Sequence, residues 1–452
     1  MPIEVIYVII LFGVIAIVFI PLKRPIYEAM LAGYLVLLIV SGQLNTFFTH
    51  IISTSTNTLF FTIVCFLTVA QLFSATKVIE PVINTILATF GRFRGGAGWV
   101  SLIGSTFMAT LTGSGAGNVA ATGVFTIPSM KKSGLPAHLA ANIEASTSTL
   151  GNSIPPSGII VLSFGALNAL YPDMYTMSSF WIILWGIGLW FLLQRALTIY
   201  GFCRYFKVQA MAKDEMPDLK ENLKKGWPAL LLPLVIFFPF IIDLNMRPFL
   251  AERIGTGVGA FTGSVLMLAP GIAAFYSVLI ARKSNVDVSP IAVATVFGKQ
   301  MKSIIPVTAT IFWAYCISSL FTSLGVGPVL GELIAGLGLS YVALAFILPL
   351  FTAIIGMIIP GSAQVAIFGS AVIAVGVSAG MHPLLVAAML PSITGAMEGV
   401  TPPMALCTYT AMGIAGSGMK ETTINSLVWI FLHYAVSVSL FLGLLPILGF
   451  IY

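Results

Sequence analysis

Long apolar stretches, rather than short alternating ones, dominate the chain. Runs of roughly 20 residues recur at about 4–20, 26–41, 58–75, 136–171, 178–198, 226–243, 256–281, 303–323, 383–412 and 425–447. A run of that length crosses the hydrocarbon layer of a bilayer as a helix, whereas a β-barrel shows segments of about ten residues with alternating polarity. The pattern predicts an all-α integral membrane protein with about ten transmembrane helices. The runs at 136–171 and 383–412 exceed what one straight helix needs, so each is expected to be interrupted.

Composition and charge sharpen this picture. The 452 residues are 58% hydrophobic and 8% charged, with a mean hydropathy of +1.02. Soluble chains carry about 25% charged residues to cover their cores, so a soluble enzyme or a nucleic-acid reader is excluded, and no nucleic-acid partner is expected. The four cysteines, Cys65, Cys203, Cys316 and Cys407, have no metal or disulfide spacing and read as small apolar residues. The net charge of +6 reads as a topogenic signal, because Lys and Arg are retained on the cytoplasmic side. Lys23 and Arg24, Arg92 and Arg94, Lys131 and Lys132 then fall inside, as do the group from Arg204 through Lys207, Lys213, Lys220, Lys224 and Lys225, and Arg282, Lys283, Lys299 and Lys302. Arg247 and Arg253 fall outside, in a loop between two spans, and both termini are predicted to lie outside. Pro2, Ile3 and Glu4 lead straight into the first apolar run with no basic n-region or cleavage site, so no secretory signal is expected.

Two segments begin and end on one face of the membrane. From Gly95 to Met130 the chain leaves the cytoplasmic Arg92 and Arg94 and returns to Lys131 and Lys132, and its middle, 112–118, is too rich in glycine to stay helical. The stretch 340–378 does the same from the outer side and turns at 359–364. Both are predicted to be re-entrant hairpins, whose non-helical backbone is tolerated at depth only where protein or a watery cavity satisfies it.

The same order of marks occurs twice. Gly113-Ser114 is followed by a Gly134-Leu135-Pro136 step and then by Pro155-Pro156-Ser157; Gly361-Ser362 is followed by Gly380-Met381-His382-Pro383 and then by Pro402-Pro403. Ser114 precedes Pro155 by 41 residues, and Ser362 precedes Pro402 by 40. One hairpin opens to each side, so the copies form an inverted repeat. Gly/Pro-interrupted segments at matching positions are the best sequence pointer to a transporter's midplane site. Each Pro-Pro removes two backbone donors and breaks its span, and the freed half-helix ends and carbonyls can hold ions and anionic groups. A packing kink accounts for one such break, but two at the same distance from a Gly-Ser turn favour function. The expected division is scaffold helices over 1–57, a first repeat over 58–200 (hairpin about 95–130, broken helix about 136–171), a basic cytoplasmic segment with scaffold helices over 201–302, and a second repeat over 303–452 (hairpin about 340–378, broken helix about 383–412).

Polar residues gather at these marks. Asn118, Asn142, Ser146, Thr147, Ser148, Thr149, Asn152, Ser153 and Ser157 in the first copy offer hydroxyl and amide oxygens of the kind a hard cation takes. Ser362, Gln364, Ser392, Thr394, Thr401, Thr408 and Thr410 do so in the second. Any one Ser or Thr can instead bond a preceding carbonyl of its own helix; the clustering at the breaks is the signal. The candidate sodium ligands are Ser114, Asn118, Asn152, Ser153, Ser362 and Thr401. The candidate substrate contacts are Ser114, Gly115, Asn118, Pro156, Ser157, Gly361, Gln364 and Pro403.

Two carboxylates fall at membrane depth, where an ionisable group is a functional candidate. Glu144 precedes Pro155 by 11 residues, toward the cytoplasmic end and near the interface, and Glu398 precedes Pro402 by four. Both are candidates for ion or proton coupling, the alternative being a structural hydrogen bond. No Lys or Arg occurs between Lys132 and Arg195 or between Lys302 and Lys420, so an anionic substrate is offered helix N-termini and amides rather than a cationic side chain. His138 and His382 fall near span ends and read as caps; Tyr171, Tyr175, Trp181, Trp185 and Trp190 read as belt or packing residues.

The stretch from Gly113 to Lys131, the run Glu144-Ala145-Ser146-Thr147-Ser148-Thr149 and the Pro155-Pro156 step together resemble the large membrane subunit of tripartite ATP-independent periplasmic (TRAP) transporters. Asn118 in the first loop, Thr401-Pro402-Pro403-Met404-Ala405-Leu406 and the segment 413–420 are most similar to its TAXI branch, and the resemblance covers about 58–422. It implies an elevator-type secondary transporter of the ion transporter superfamily in a bacterial inner membrane, with both termini periplasmic. In such a protein a mobile domain of two hairpins and two broken helices carries a small organic anion (a dicarboxylate, keto acid or amino acid) past a scaffold, driven by a sodium or proton gradient. No cofactor is implied, and sodium is favoured because the oxygen-rich breaks suit a cation cage. The resemblance also implies a periplasmic substrate-binding protein and a small four-helix membrane subunit; ten spans leave no room for those four helices, so the small subunit is either a separate chain or absent. Gly361 and Ser362 depart from the family, which often has two threonines there. An intramembrane aspartyl protease lacks material, because Asp173, Asp214, Asp218, Asp243 and Asp287 all fall in loops or at span ends. A passive pore built from inverted half-helices is the remaining alternative.

Overall fold

The computed structural model describes residues 2–19, 21–57, 80–112, 115–172, 174–211, 216–283, 289–326, 339–357, 359–402 and 405–451, with scattered positions in 58–79, 284–288 and 327–338. Most of the span read at 58–75, together with Ser114 and Pro403, lies outside the described residues.

Helices are the regular structure throughout the described residues. Helices α1 (Ile3–Phe19) and α2 (Ile26–Val40) pack side by side and are followed by α3 (Phe47–Ser55) and α4 (Glu80–Phe90). The first hairpin has one arm made of α5 (Gly96–Val100), a π-helical turn (Ser101–Ser105) and α6 (Thr106–Thr112), and a returning arm, α7 (Gly115–Lys132). The first broken helix is α8 (Ala137–Leu150), a 3-10 turn (Gly151–Ser153) and α9 (Gly158–Leu170). Then come α10 (Met177–Tyr205), α11 (Leu219–Leu230), α12 (Leu232–Ile254), α13 (Val258–Lys283) and α14 (Pro290–Ser323). The second hairpin is α15 (Tyr341–Gly356) and α16 (Gly361–Ser378), and the second broken helix is α17 (Pro383–Ile393), α18 (Gly395–Glu398) and α19 (Leu406–Ala415), before α20 (Met419–Phe441). Among the described residues five helical stretches, Ala137–Leu170, Met177–Tyr205 and Met419–Phe441 among them, are long and apolar enough to cross a membrane, and a bent pair within α12 makes a sixth.

The interruptions fall where the prolines put them. Ile154 is extended (φ −121°, ψ 127°), as a residue before proline prefers to be. Pro155 and Pro156, joined by a cis bond, donate no N–H, and Ser157 is extended as well (φ −119°, ψ 144°) before α9 begins. In the second copy α17 ends just past Pro391, and α19 begins after Ala405, which sits at φ 31°, ψ 42°. A β-carbon in that left-handed region costs roughly 1–2 kcal/mol.

The two copies pack reciprocally. Helix α8 lies against α19 and α9 against α17, so each half of one broken helix meets the opposite half of the other. Arm α7 packs on α8 and α19; its counterpart α16 packs on α17 and α9. Helices α10 and α20 flank both broken helices, while α14 bridges α2 and α3 to α16.

Two boundaries differ from the sequence reading. The outer loop expected around Arg247 and Arg253 is helical: α12 continues to Ile254, bending by 40° between Asp243 and Asn245. Loss of apolar character does not end a helix; the stop comes at Gly255, whose φ of 54° suits a residue without a β-carbon. Arm α7 likewise outruns residue 130 and ends at Lys132, ahead of the turn at Gly134 with φ 108°.

Candidate substrate and ion site

Glu144 is fully enclosed by protein. Both arms of the first hairpin turn hydroxyls onto its carboxylate. Ser101 Oγ donates to Oε2 at 2.7 Å, Ser105 Oγ to Oε1 at 2.7 Å and Thr126 Oγ1 to Oε2 at 2.6 Å. Thr122 Oγ1 also donates to Oε1, and Ser148, one turn along α8, reaches Oε1 at 3.3 Å. The π turn, wider than an α turn, aims Ser101 and Ser105 the same way. Spacing along α8 takes no account of the hairpin that covers Glu144.

Glu398 lies at the second centre, half-buried. Helix α18 presents it to the start of α16, where Oε2 accepts from the Gly361 amide. A carboxylate there faces the positive end of the helix dipole. Gly361 approaches the break so closely that a β-carbon would lie 2.3 Å from Gly395 Cα, and a β-carbon on Gly151 would lie 2.3 Å from the Ala109 carbonyl carbon. In each copy a hairpin therefore rests on a break through a glycine. Gly361→Ala must lift the second hairpin tip off its seat, at an overpacking cost of about 1–3 kcal/mol. Its uptake in proteoliposomes is expected to fall about tenfold or more, and wild-type uptake would show the seat to be slack.

Between the tips and the breaks, several buried oxygens have no hydrogen-bond partner among the described residues: Asn118 Oδ1, Ser153 Oγ, Ser157 Oγ, Gln364 Oε1, Ser392 Oγ and Thr408 Oγ1. Unmet, each costs about 1–3 kcal/mol. The amide nitrogens beside them are engaged: Asn118 Nδ2 donates to Ser105 O and Ser148 Oγ, both at 2.9 Å, and Gln364 Nε2 to Ile359 O at 3.0 Å. Each amide leaves its oxygen over, an acceptor of the kind a hard cation requires.

The other predicted residues divide as follows. Asn152 Nδ2 crosses to the second copy and donates to Gly395 O at 2.8 Å. Thr401 Oγ1, just past the end of α18, donates to Met397 O at 2.6 Å, the back-bond to a preceding carbonyl that threonine readily makes. Ser362 is half-buried at the second tip. Gly115 abuts the other copy, where a β-carbon would lie 2.7 Å from Cys407 Sγ. Pro156 forms the first break. His382 caps α17 as expected, its Nδ1 accepting from Leu384 N at 3.2 Å, and Trp181 packs edge-on against Phe237.

Arg195 has a role that the sequence reading missed. It is 2% exposed, inside α10. Its guanidinium donates from Nε to Ser146 O at 2.9 Å and from Nη1 to Gln194 Oε1 at 3.0 Å, and Nη2 lies 3.2 Å from His433 Nδ1. His433 Nε2 lies 2.9 Å from the Ser392 carbonyl, an acceptor only, so Nε2 carries the hydrogen and Nδ1 accepts from the guanidinium. A polar strut from Ser146 through Arg195 and His433 to Ser392 thus ties α8 to α17. Both residues are ionisable groups within apolar runs, a signal available in the sequence. The hydroxyls of Ser101, Ser105, Thr122 and Thr126 carry no such mark.

Paired hairpins and broken helices around a buried polar centre define a helical membrane transporter. The fold is shared with the YdaH transporter of Alcanivorax borkumensis, with a TM-score of 0.66 at 17% identity over 90% of each chain. The family described as the DctM component of the tripartite ATP-independent periplasmic transporter matches residues 9–447, and the chain belongs to that family, the TRAP large permease subunits. Its relatives include the C4-dicarboxylate TRAP transporter large permease DctM of Rhodobacter capsulatus, 25% identical over 362 residues and 78% of each chain. Another is the isethionate TRAP transporter permease DctMQ of Oleidesulfovibrio alaskensis, 23% identical over 338 residues, which are 73% of this chain and 48% of that one.

Proposed function

We propose that this permease carries out secondary active uptake of a small organic anion across a bacterial inner membrane, coupled to a sodium gradient. The observation that carries the reading is the set of buried oxygens without partners where two hairpin tips meet two broken helices. Asn118, Ser153 and Gln364 offer acceptors there, and Ser114, Asn152, Ser362 and Thr401 complete the proposed ion sites. The substrate's anionic group is proposed to take the half-helix N-terminus near Ser157, since the one at Gly361 already faces the Glu398 carboxylate. The relatives in Rhodobacter capsulatus and Oleidesulfovibrio alaskensis are named for C4-dicarboxylates and isethionate, which agrees with a small organic acid. A periplasmic binding protein delivers the substrate, a small membrane subunit joins as a separate chain, and the basic groups face the cytoplasm. The asparagine-bearing first loop keeps the TAXI-like branch within the proposal.

Two features support elevator motion. The repeats are cross-bonded into one unit: Asn152 to Gly395 O, Ser163 Oγ to Ala387 O at 2.5 Å, Lys131 Nζ to Ala415 O at 2.6 Å, and Asn142 Nδ2 to Thr422 O at 2.9 Å. Between this unit and the frame helices α3 and α14 lies a cavity of about 180 Å³ whose walls include Ser53, Thr54, Ser318, Ser319 and Ser370. The cavity leaves part of that boundary unpacked, beside the apolar cluster that Ala314, Ile317 and Leu320 form with Ile359, Ala363 and Ile367. Of the two carboxylates, Glu398 is the proposed coupling group, and Glu144, with hydroxyls on both oxygens, clamps the hairpin.

The test is uptake into proteoliposomes supplied with the binding protein. Accumulation is expected under an inward sodium gradient and is expected to stop when choline replaces sodium. Uptake that follows pH and ignores that replacement would assign the coupling to protons, and flux without accumulation would favour a pore.

A further inference from the structure

Three basic residues that the sequence marks only as topogenic come together in the structure. Arg94, at the foot of the first hairpin, and Arg204 and Lys207, at the end of α10, line one cavity of about 610 Å³ with Trp99, Tyr200 and Gln209. No carboxylate lines it among the described residues. The described ion pair, Arg24 with Glu28, lies elsewhere. Arginine and lysine gathered with no carboxylate among the described lining residues attract a phosphate-type anion, which takes several charge-assisted hydrogen bonds at once. The two aromatic side chains suit the headgroup level of a membrane, where amphipathic rings collect.

A second observation says what kind of anion. Back along α10 from Arg204, Tyr200, Leu197, Leu193 and Leu189 follow at steps of three or four residues and are 54%, 62%, 46% and 48% exposed. That spacing places them on one helix face. At 1.5 Å per residue the stripe from Leu189 to Arg204 is roughly 22 Å long, enough to cross one leaflet of a hydrocarbon core about 30 Å thick. A free anion uses the cavity alone; an amphiphile uses the cavity and the stripe.

We propose that this pocket binds an anionic phospholipid, its phosphate held by Arg94, Arg204 and Lys207 and an acyl chain laid along the exposed face of α10. The basic residues place the site in the cytoplasmic leaflet, where basic pockets between membrane helices hold anionic headgroups. A lipid there braces the first hairpin's foot against α10. The inference stands apart from the choice of substrate and coupling ion.

The test titrates the full-length purified protein in mild detergent with phosphatidylglycerol, phosphatidylcholine or inorganic phosphate, following the melting temperature and, by native mass spectrometry, the retained lipid. Phosphatidylglycerol is expected to raise the melting temperature and to survive purification as a bound adduct, with neither effect from the other two. R94Q/R204Q/K207Q is expected to lose the shift and to retain about tenfold less lipid, equivalent to about 1.4 kcal/mol, while R247Q/R253Q behaves as wild type. An undiminished shift in the triple variant overturns the proposal, and so does an equal shift from inorganic phosphate, which would make this a small-anion pocket. Should the triple variant fail to fold, L193N/L197N decides: it is expected to weaken phosphatidylglycerol binding, and unchanged binding removes the acyl stripe and with it the lipid.

Discussion

Glu398→Gln is expected to cut gradient-driven uptake about ten- to a hundredfold while the protein stays folded. Glutamine keeps the size of the side chain and an oxygen that can accept from the Gly361 amide, so the seat of the second hairpin survives. What disappears is the negative charge facing the start of α16, a charge-assisted bond worth about 1.5–3 kcal/mol. If that charge balances a coupling cation at the oxygens nearby, its loss falls on the transport cycle rather than on folding. Uptake in proteoliposomes, read beside thermal stability in detergent, separates the two. Wild-type uptake would remove Glu398 from coupling, and a collapse of stability would make it a structural group.

The opposite signature is expected for Glu144. Glu144→Ala takes the shared carboxylate from Ser101, Ser105, Thr122 and Thr126 and leaves them only the hydroxyls and backbone carbonyls beside them. Removing one side of a buried charged network typically costs about 3–5 kcal/mol. The first hairpin should detach from α8, and the loss should appear as a large fall in melting temperature. Ser105→Ala in the Glu144→Ala background should add little, whereas alone it should cost about 1.5–3 kcal/mol. A stable Glu144→Ala protein would end the clamp interpretation.

The transmembrane class, both hairpins and both broken helices are legible in the sequence, because each rests on local chemistry. Proline removes an N–H wherever it stands, glycine frees the backbone, and an apolar run of about 20 residues seeks lipid in any context. Pro155-Pro156 and the Gly361 turn needed no knowledge of their neighbours. The helix through Arg247 to Ile254 was harder, since charge on a helix face resembles charge in a loop when only the chain is in view.

The sequence by itself therefore determined a membrane protein with two matching hairpin and broken-helix units, and it placed Asn118, Ser153, Ser157 and Gln364 beside their turns and breaks. Tertiary structure alone decided which groups meet. Ser101 reaches Glu144 from 43 residues away, Asn152 reaches Gly395 from 243, and Arg195 faces His433 across 238. No local preference encodes such pairings. They arise because burying the apolar faces of α8, α17, α10 and α20 leaves the polar groups between them a single set of partners, and desolvation makes any other arrangement costly.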